Sequence, residues 1–238
     1  MLSFQNVTKS FKLDEETTIS PVKDVTLQID RGEFIVIIGR SGTGKSTLLN
    51  LAAGLVKPTS GQIMMDNVSL HGMTDAEFSN LRTRRIGFVF QFPSLLTSFT
   101  VLENITLPAI FVSKDGKKGA SQKAIEMLQV MGLTEKKDVY PRQLSAGEQK
   151  RVAISRSLIN NPEIILADEP TSDLDSKTEI DVMNVLKKIN AGGMTVLMVT
   201  HSLQLLPFAT RAFEMQNGQL HEIGGARLVA NAAVMTKN

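Results

Sequence analysis

The 238-residue sequence contains no cysteine, so it holds neither a disulfide framework nor a thiolate metal site, and an oxidising compartment has left no mark on it. Net charge is nearly absent too: 26 basic against 24 acidic side chains leave +2, too little to argue for a nucleic-acid or anionic-membrane partner. Long apolar runs are missing. Phe34 to Ile38 and Val196 to Val199 have the length of buried strands, far below the ~20 residues that cross a bilayer, so any membrane role has to come through a separate chain. The opening residues Met1 to Thr8 alternate apolar and polar types and lack the apolar run and cleavage site of a signal peptide. The expectation is a chain that stays inside the cell.

What is present fits ordinary folding, with 42% apolar and 21% charged residues. At this length one compact α/β domain with a smaller inserted subdomain fits as well as two domains. Strands are expected at Leu2 to Val7, Val22 to Ile29 and Glu33 to Ile38, with a polar loop from Lys12 to Thr18. From Lys45 a helical face carries Leu48, Leu49, Leu51, Ala52 and Leu55, with Gly54 and Pro58 as stop signals. Ile63 to Asp66, as part of a small antiparallel sheet, and Ile86 to Phe90 read as strands, and Thr74 to Arg85 as a helix.

Strand character then fades from Gln91 to Leu158, which reads as a helical insertion. It contains a helix starting after Ser121, carrying Ile125, Leu128 and Met131 and ending at Gly132, while Ser113 to Gly119 reads as a solvated loop tip. Strands Ile164 to Ala167 and Thr195 to Thr200 flank a helix from Ser176 to Asn190 with Ile180, Met183, Leu186 and Ile189 at three-residue intervals. Alternating strands and helices imply a mostly parallel sheet covered on both faces, with ligands at the carboxyl ends of its strands.

Gly39-Arg40-Ser41-Gly42-Thr43-Gly44-Lys45-Ser46, followed by Thr47, is a full P-loop match between an expected strand and an expected helix. Its glycines let backbone N–H groups face phosphate oxygens, and the helix adds the positive end of its dipole. Lys45 can reach the β and γ phosphates, and the Ser46 hydroxyl can ligate a bridging Mg²⁺. Glycine spacing and the Gly-Lys-Ser ending exclude a Rossmann fingerprint. The strand Ile164 to Ala167 ends in Asp168 and Glu169, a costly place for carboxylates unless they meet a cation or a reaction. Asp168 suits the Mg²⁺ shell, and Glu169 the general base for water attacking the γ phosphate.

Three further motifs follow in order: Gln91 after Gly87-Phe88-Val89-Phe90, then Leu144-Ser145-Ala146-Gly147-Glu148, then Ser172-Asp173-Leu174-Asp175 with His201 after Met198-Val199-Thr200. With them the sequence resembles the ATPase subunit of an ABC transporter from Met1 to about Gly224. The resemblance implies an α/β P-loop NTPase core with a mostly parallel sheet (1–91 and 159–224), a small N-terminal antiparallel β subdomain and an inserted α-helical subdomain (92–158). All lie in one domain of 1–238, whose residues 225–238 stay unassigned. It implies that Gln91 touches Mg²⁺ and the attacking water, that Ser145, Gly147 and Glu148 serve the opposite subunit's ATP, that Asp175 belongs to the loop coupling two sites, and that His201 contacts the γ phosphate. Phe11 stands where the family places an aromatic against adenine; a core phenylalanine is the competing reading.

Glu148 departs from the family's glutamine, and a carboxylate near polyphosphate could oppose closure by repulsion, although a helix N-terminus stabilises it. Echoes such as Ile86 to Gln91 and Leu102-Glu103-Asn104-Ile105 are similar to the lipoprotein-release and macrolide-export group. This implies an ATP-dependent homodimer, no nucleic acid, and a separate transmembrane permease at the cytoplasmic face of the inner membrane, contacted near Phe92, Leu95, Leu96 and Phe99. A regulatory cassette of the cell-division type, signalling by closure alone, is the alternative. His71 and His221 read as surface histidines, and the triplets at Asn6, Asn67 and Asn104 as inert without secretion.

Overall fold

The structure, a computed structural model, describes residues 1–70, 72–112 and 116–224, and for 116–118 the backbone alone. His71, Ser113 to Asp115 of the expected loop tip, and the unassigned 225–238 lie outside the described residues.

The N-terminal half runs β1 (Leu2–Lys12), β2 (Thr18–Ile29), β3 (Phe34–Ile38), α1 (Lys45–Ala52), β4 (Ser60–Met65), β5 (Val68–Ser69), α2 (Asp75–Arg85) and β6 (Ile86–Val89). Three helices follow, α3 (Val101–Thr106), α4 (Gly116–Val130) and α5 (Ala146–Leu158), and then β7 (Ile164–Asp168), α6 (Ser176–Ala191), β8 (Thr195–Thr200), β9 (Arg211–Gln216) and β10 (Gln219–Ile223).

Two sheets organise these elements. A four-stranded antiparallel sheet has the order β2-β1-β4-β5, and a six-stranded sheet the order β10-β9-β3-β8-β7-β6, parallel except for β10. Every residue of β3 and β8 is buried, as continuous apolar strands of a sheet covered on both faces must be. Their alternate side chains belong to two different cores. Ile35, Ile37, Leu197 and Val199 pack with Leu48, Leu49 and Leu51 of α1 and with Leu2, Phe4 and Leu27 of the antiparallel sheet. Phe34, Val36, Ile38, Val196 and Met198 face the helices, meeting Val152 and Ile154 of α5 and Val182, Met183 and Leu186 of α6.

Helix starts follow local chemistry. Thr74 with Glu77, Thr100 with Glu103, and Ser145 with Glu148 each form a reciprocal capping box, opening α2, α3 and α5. Helix α4 starts at Gly116 rather than after Ser121: Ala120, Ala124 and Leu128 lie on one buried stripe, and that packing overrides the weak helix preference of the glycines at 116 and 119. Leu55 follows the helix-ending Gly54 (φ 59°) and is half exposed instead of joining the buried face of α1. The hairpin β9-β10 was not expected, although Asn217 (φ 50°) and Gly218 (φ 85°) form the Asn-Gly turn that favours one.

Candidate nucleotide-binding site

The glycine loop leaves the carboxyl end of β3 in the middle of the parallel sheet and delivers Lys45 and Ser46 to the first turn of α1. Gly44 has φ 105°, and a Cβ there would stand 1.9 Å from the Pro21 carbonyl oxygen, so only glycine fits between loop and β2. Thr43 Oγ1 donates back to the Arg40 carbonyl at 2.9 Å and holds the curl. Lys45 is 5% exposed, and its Nζ donates to the carbonyls of Gly39 (2.7 Å) and Arg40 (3.0 Å), lying also 3.8 Å from Glu169 Oε1. A buried ammonium held mostly by its own loop's carbonyls is ready to exchange them for a stronger anion.

Strands β7 and β8 bring the acids and the histidine to the same edge. Ser46 Oγ donates to Asp168 Oδ1 at 3.0 Å; burial pushes the Asp168 carboxyl above its ordinary range, the Ser46 hydrogen bond opposes this, and the neighbouring Glu169 charge adds to it. Glu169 adopts φ 46°, a left-handed conformation costly for a side-chain-bearing residue, with its N–H on the Val199 carbonyl at 3.0 Å. Its Oε2 accepts from the His201 N–H (3.3 Å) and lies 2.7 Å from His201 Nδ1. An Nδ1–H donates to the ionised carboxylate. A cavity of about 310 Å³ joins Glu169 and His201 to Gln91, Thr171, Asp173 and the buried Glu179.

The remaining expected residues are held by neighbours of their own. Glu148 accepts the Ser145 N–H at 2.7 Å while Ser145 Oγ accepts the Glu148 N–H at 3.3 Å. That backbone hydrogen bond is the main reason the Glu148 carboxyl lies below its usual range. Gly147 abuts α6, where a Cβ would meet Thr178 Cγ2 at 2.3 Å. Asp175 caps α6, accepting from Lys177 N and Thr178 N (both 3.1 Å). Phe11 is 37% exposed on β1 with Lys9 Nζ 4.8 Å from its ring centre, so it is no core residue and offers a ring face. Leu95 corrects an expectation: it packs against the helical core, while Phe90, Phe92, Ile110 and Phe111 are the exposed apolar residues beside Leu96.

Sequence reasoning missed two polar side chains around Gln91. Asn104, fully buried, accepts the Leu96 N–H and donates to three nearby carbonyls, so the triplet that began with it belongs to a structural clamp. Lys150, 4% exposed, donates to the Gln91 carbonyl. Lys150 stands at helical spacing with Gly147, Ile154 and Leu158 on the face that α5 buries, and that spacing was the available signal.

The donor set tests the expected metal. Ser46 Oγ and Asp168 Oδ1 are adjacent hard oxygens, the chemistry Mg²⁺ selects. Among the described residues no group of three or more His, Cys, Asp or Glu could hold an ion alone, so phosphate oxygens would have to complete the shell.

A glycine loop at the centre of a parallel sheet, followed by a helix and accompanied by an acid pair at the end of β7, one strand removed across β8, defines a P-loop nucleotide-binding protein. Residues 22–172 match the ABC transporter family, and the chain belongs to it as an ATP-binding cassette with ATPase chemistry. It is 44% identical over 224 residues to an uncharacterized ABC transporter ATP-binding protein of Methanocaldococcus jannaschii, MJ0796, covering 92% of this chain and 95% of that one. Identity to the lipoprotein-releasing system ATP-binding protein LolD of Buchnera aphidicola is 43%, covering 90% and 93% of the two chains. The macrolide export ATP-binding/permease protein MacB of Mannheimia succiniciproducens is 40% identical, covering 86% of this chain and 32% of the longer one. The dimeric MJ0796 structure, in a post-hydrolysis state bound to ADP and Pi, superposes with a TM-score of 0.82 at 40% identity, covering 94% of this chain and all of that one.

Proposed function

We propose that two copies of this chain close head to tail over two ATP molecules, and that hydrolysis reopens them and drives a separate membrane subunit. The observation that carries the reading is the convergence of Lys45, Glu169 and His201 at one sheet edge, with Lys45 Nζ 3.8 Å and His201 Nδ1 2.7 Å from the Glu169 carboxylate. Residues 1–238 act as one domain, with 1–91 and 159–224 as the nucleotide-binding core and 92–158 as the signature-bearing helical part.

In this reading Gly39 to Thr47 wrap the phosphates, and Lys45 leaves the Gly39 and Arg40 carbonyls for the β and γ phosphates. Phe11 stacks on adenine through its exposed face. Ser46, Asp168 and Gln91 would hold Mg²⁺, which when bound would supply neutralisation of charge on the transferring phosphate. Glu169 accepts the proton of the attacking water, His201 orients Glu169 and meets the γ phosphate, and Gln91 orders the water. Ser145, Gly147 and Glu148 close on the partner copy's nucleotide from the N-terminus of α5, and Asp175 helps link the two sites. The dimeric MJ0796 structure supports this arrangement.

The same reading puts the chain at the cytoplasmic face of the inner membrane as a peripheral subunit for lipoprotein release or export. Likeness to LolD and MacB supports it, and among the described residues no helix is long and apolar enough to cross a membrane. The permease docks on Phe90, Phe92, Leu96, Ile110 and Phe111, beside a cavity of about 410 Å³ floored by Gly87, Phe88 and Arg156. The deciding experiment compares wild type with Glu169→Gln for ATP turnover and for size in ATP and Mg²⁺. Turnover lost with an ATP-stabilised dimer retained is the expected outcome; a turnover-competent Glu169→Gln sinks the assignment of the base.

A further inference from the structure

One helix grips three backbone carbonyls of the segment that follows β6. Lys150 Nζ donates to the carbonyl of Gln91, and Arg156 donates to those of Pro93 (2.7 Å) and Ser94 (2.8 Å). Neither cation has a carboxylate within ion-pair distance among the described residues, and a buried ammonium lacking one is costly, so its placement calls for a use. The acids whose charges reach Lys150 are Asp173 and Glu169, both lining the same cavity as Gln91. Further along, Asn104 brackets Leu96 through its N–H (2.8 Å) and its carbonyl (3.0 Å). Residues 91–96 are thus fastened at both ends to the helical side of the molecule, and the first fastening sits on the residue that faces the cavity.

We propose that Lys150 is a positioning residue for ATP hydrolysis: it fixes the Gln91 backbone so that the glutamine side chain meets the nucleotide, and it makes α5 and Gln91 move as one body. Lys150 lies five residues beyond Ser145, the cap of α5, so any rotation of the Ser145 to Glu148 segment carries Gln91 with it. Closure on a partner's nucleotide is thereby communicated to the chain's own site through one side chain. The proposal rests on the role given to Gln91 above.

The test measures ATP turnover against ATP concentration for the full chain carrying Lys150→Met, Lys150→Arg, Gln91→Ala, and Lys150→Met with Gln91→Ala, beside amide hydrogen exchange over residues 91–96. Lys150→Met is expected to lower kcat about 10-fold with KM changed less than about two-fold, because misplacing a reacting group costs rate rather than binding. Lys150→Arg keeps a cationic donor and restores most of kcat. On the Gln91→Ala background the lysine change costs nothing further, the signature of two residues acting as one. Exchange rises over 91–96 and stays unchanged over α1, a readout independent of turnover. Should Lys150→Met not fold in a thermal melt, Lys150→Gln replaces it with the same expected outcome.

Wild-type exchange over 91–96 in the lysine variant overturns the proposal, as does a parallel change of kcat and KM. If Gln91→Ala is slow and Lys150→Met is not, the lysine assignment alone fails; if Gln91→Ala is fully active, the reading of Gln91 fails first.

Discussion

Replacing Glu148 by glutamine and by alanine separates two jobs that the carboxylate does at once. Glutamine keeps an acceptor for the Ser145 N–H, now 2.7 Å from Glu148 Oε2, and removes only the charge at the start of α5. A charge in the first helical turn is worth about 0.3–1 kcal/mol, so Glu148→Gln should lose no more than that. Alanine removes the acceptor as well and opens the capping box, a loss of about 1–2 kcal/mol. In a chain of 238 residues each kcal/mol moves the midpoint by about 2–4 °C, so thermal melts with urea titrations resolve the order wild type, glutamine, alanine. The sign with pH follows from a carboxyl held below its ordinary range in the folded protein. Its stabilisation is complete above the unfolded carboxyl's range and is lost as pH falls toward and through the lower folded value. The gap between wild type and Glu148→Gln is therefore full at pH 7 and closes in acid. On the proposed function, removing the charge also relieves repulsion toward the partner's ATP, so Glu148→Gln should dimerise at lower ATP than wild type. An alanine variant as stable as wild type would refute the reasoning, since the box would then contribute nothing.

Gly44→Ala meets both a left-handed backbone and the Pro21 carbonyl 1.9 Å from its Cβ, so a loss of about 2–4 kcal/mol together with ATP binding is expected in urea titration and nucleotide titration. Asn104→Ala strips the Leu96 N–H and three carbonyls of a fully buried partner and should cost about 2–3 kcal/mol, read as a lower urea midpoint; Asn104→Asp, which keeps only the acceptor, should not recover it. Phe92→Asp with Phe111→Asp should abolish copurification with a membrane partner and leave ATP affinity unchanged, because the side chains are 67% and 76% exposed; retained copurification moves the docking site elsewhere.

Features written in short, local spacing were legible in the sequence. The P-loop glycines, the acids ending β7 and the apolar runs of β3 and β8 each carry their own reason, and the structure brings Lys45, Ser46, Asp168, Glu169 and His201 to one edge. What stayed hidden depends on partners distant in sequence. The start of α4 is decided by the packing of Ala120 and Ala124, which overrides two glycines. Leu95 reads as apolar contact surface beside Leu96 until the helical core covers it, and the partner of Lys150, the Gln91 carbonyl, lies 59 positions away. The hairpin β9-β10 is marked in the sequence only by its Asn217-Gly218 turn, because Arg211 to Gln216 has a weak alternating pattern.

Alternate residues of β3 and β8 belong to separate cores, and this sets how the protein can drift over generations. A change at Ile35 or Ile37 is accommodated by α1 and the antiparallel sheet, and one at Val36 or Val196 by α5 and α6, so compensating substitutions should arise within each set and seldom between them. The strand backbone is the shared element, and it alone sets where the glycine loop emerges. On the proposed function, lineages can therefore remodel the outer helical face toward new membrane partners while the place where the glycine loop emerges is inherited unchanged.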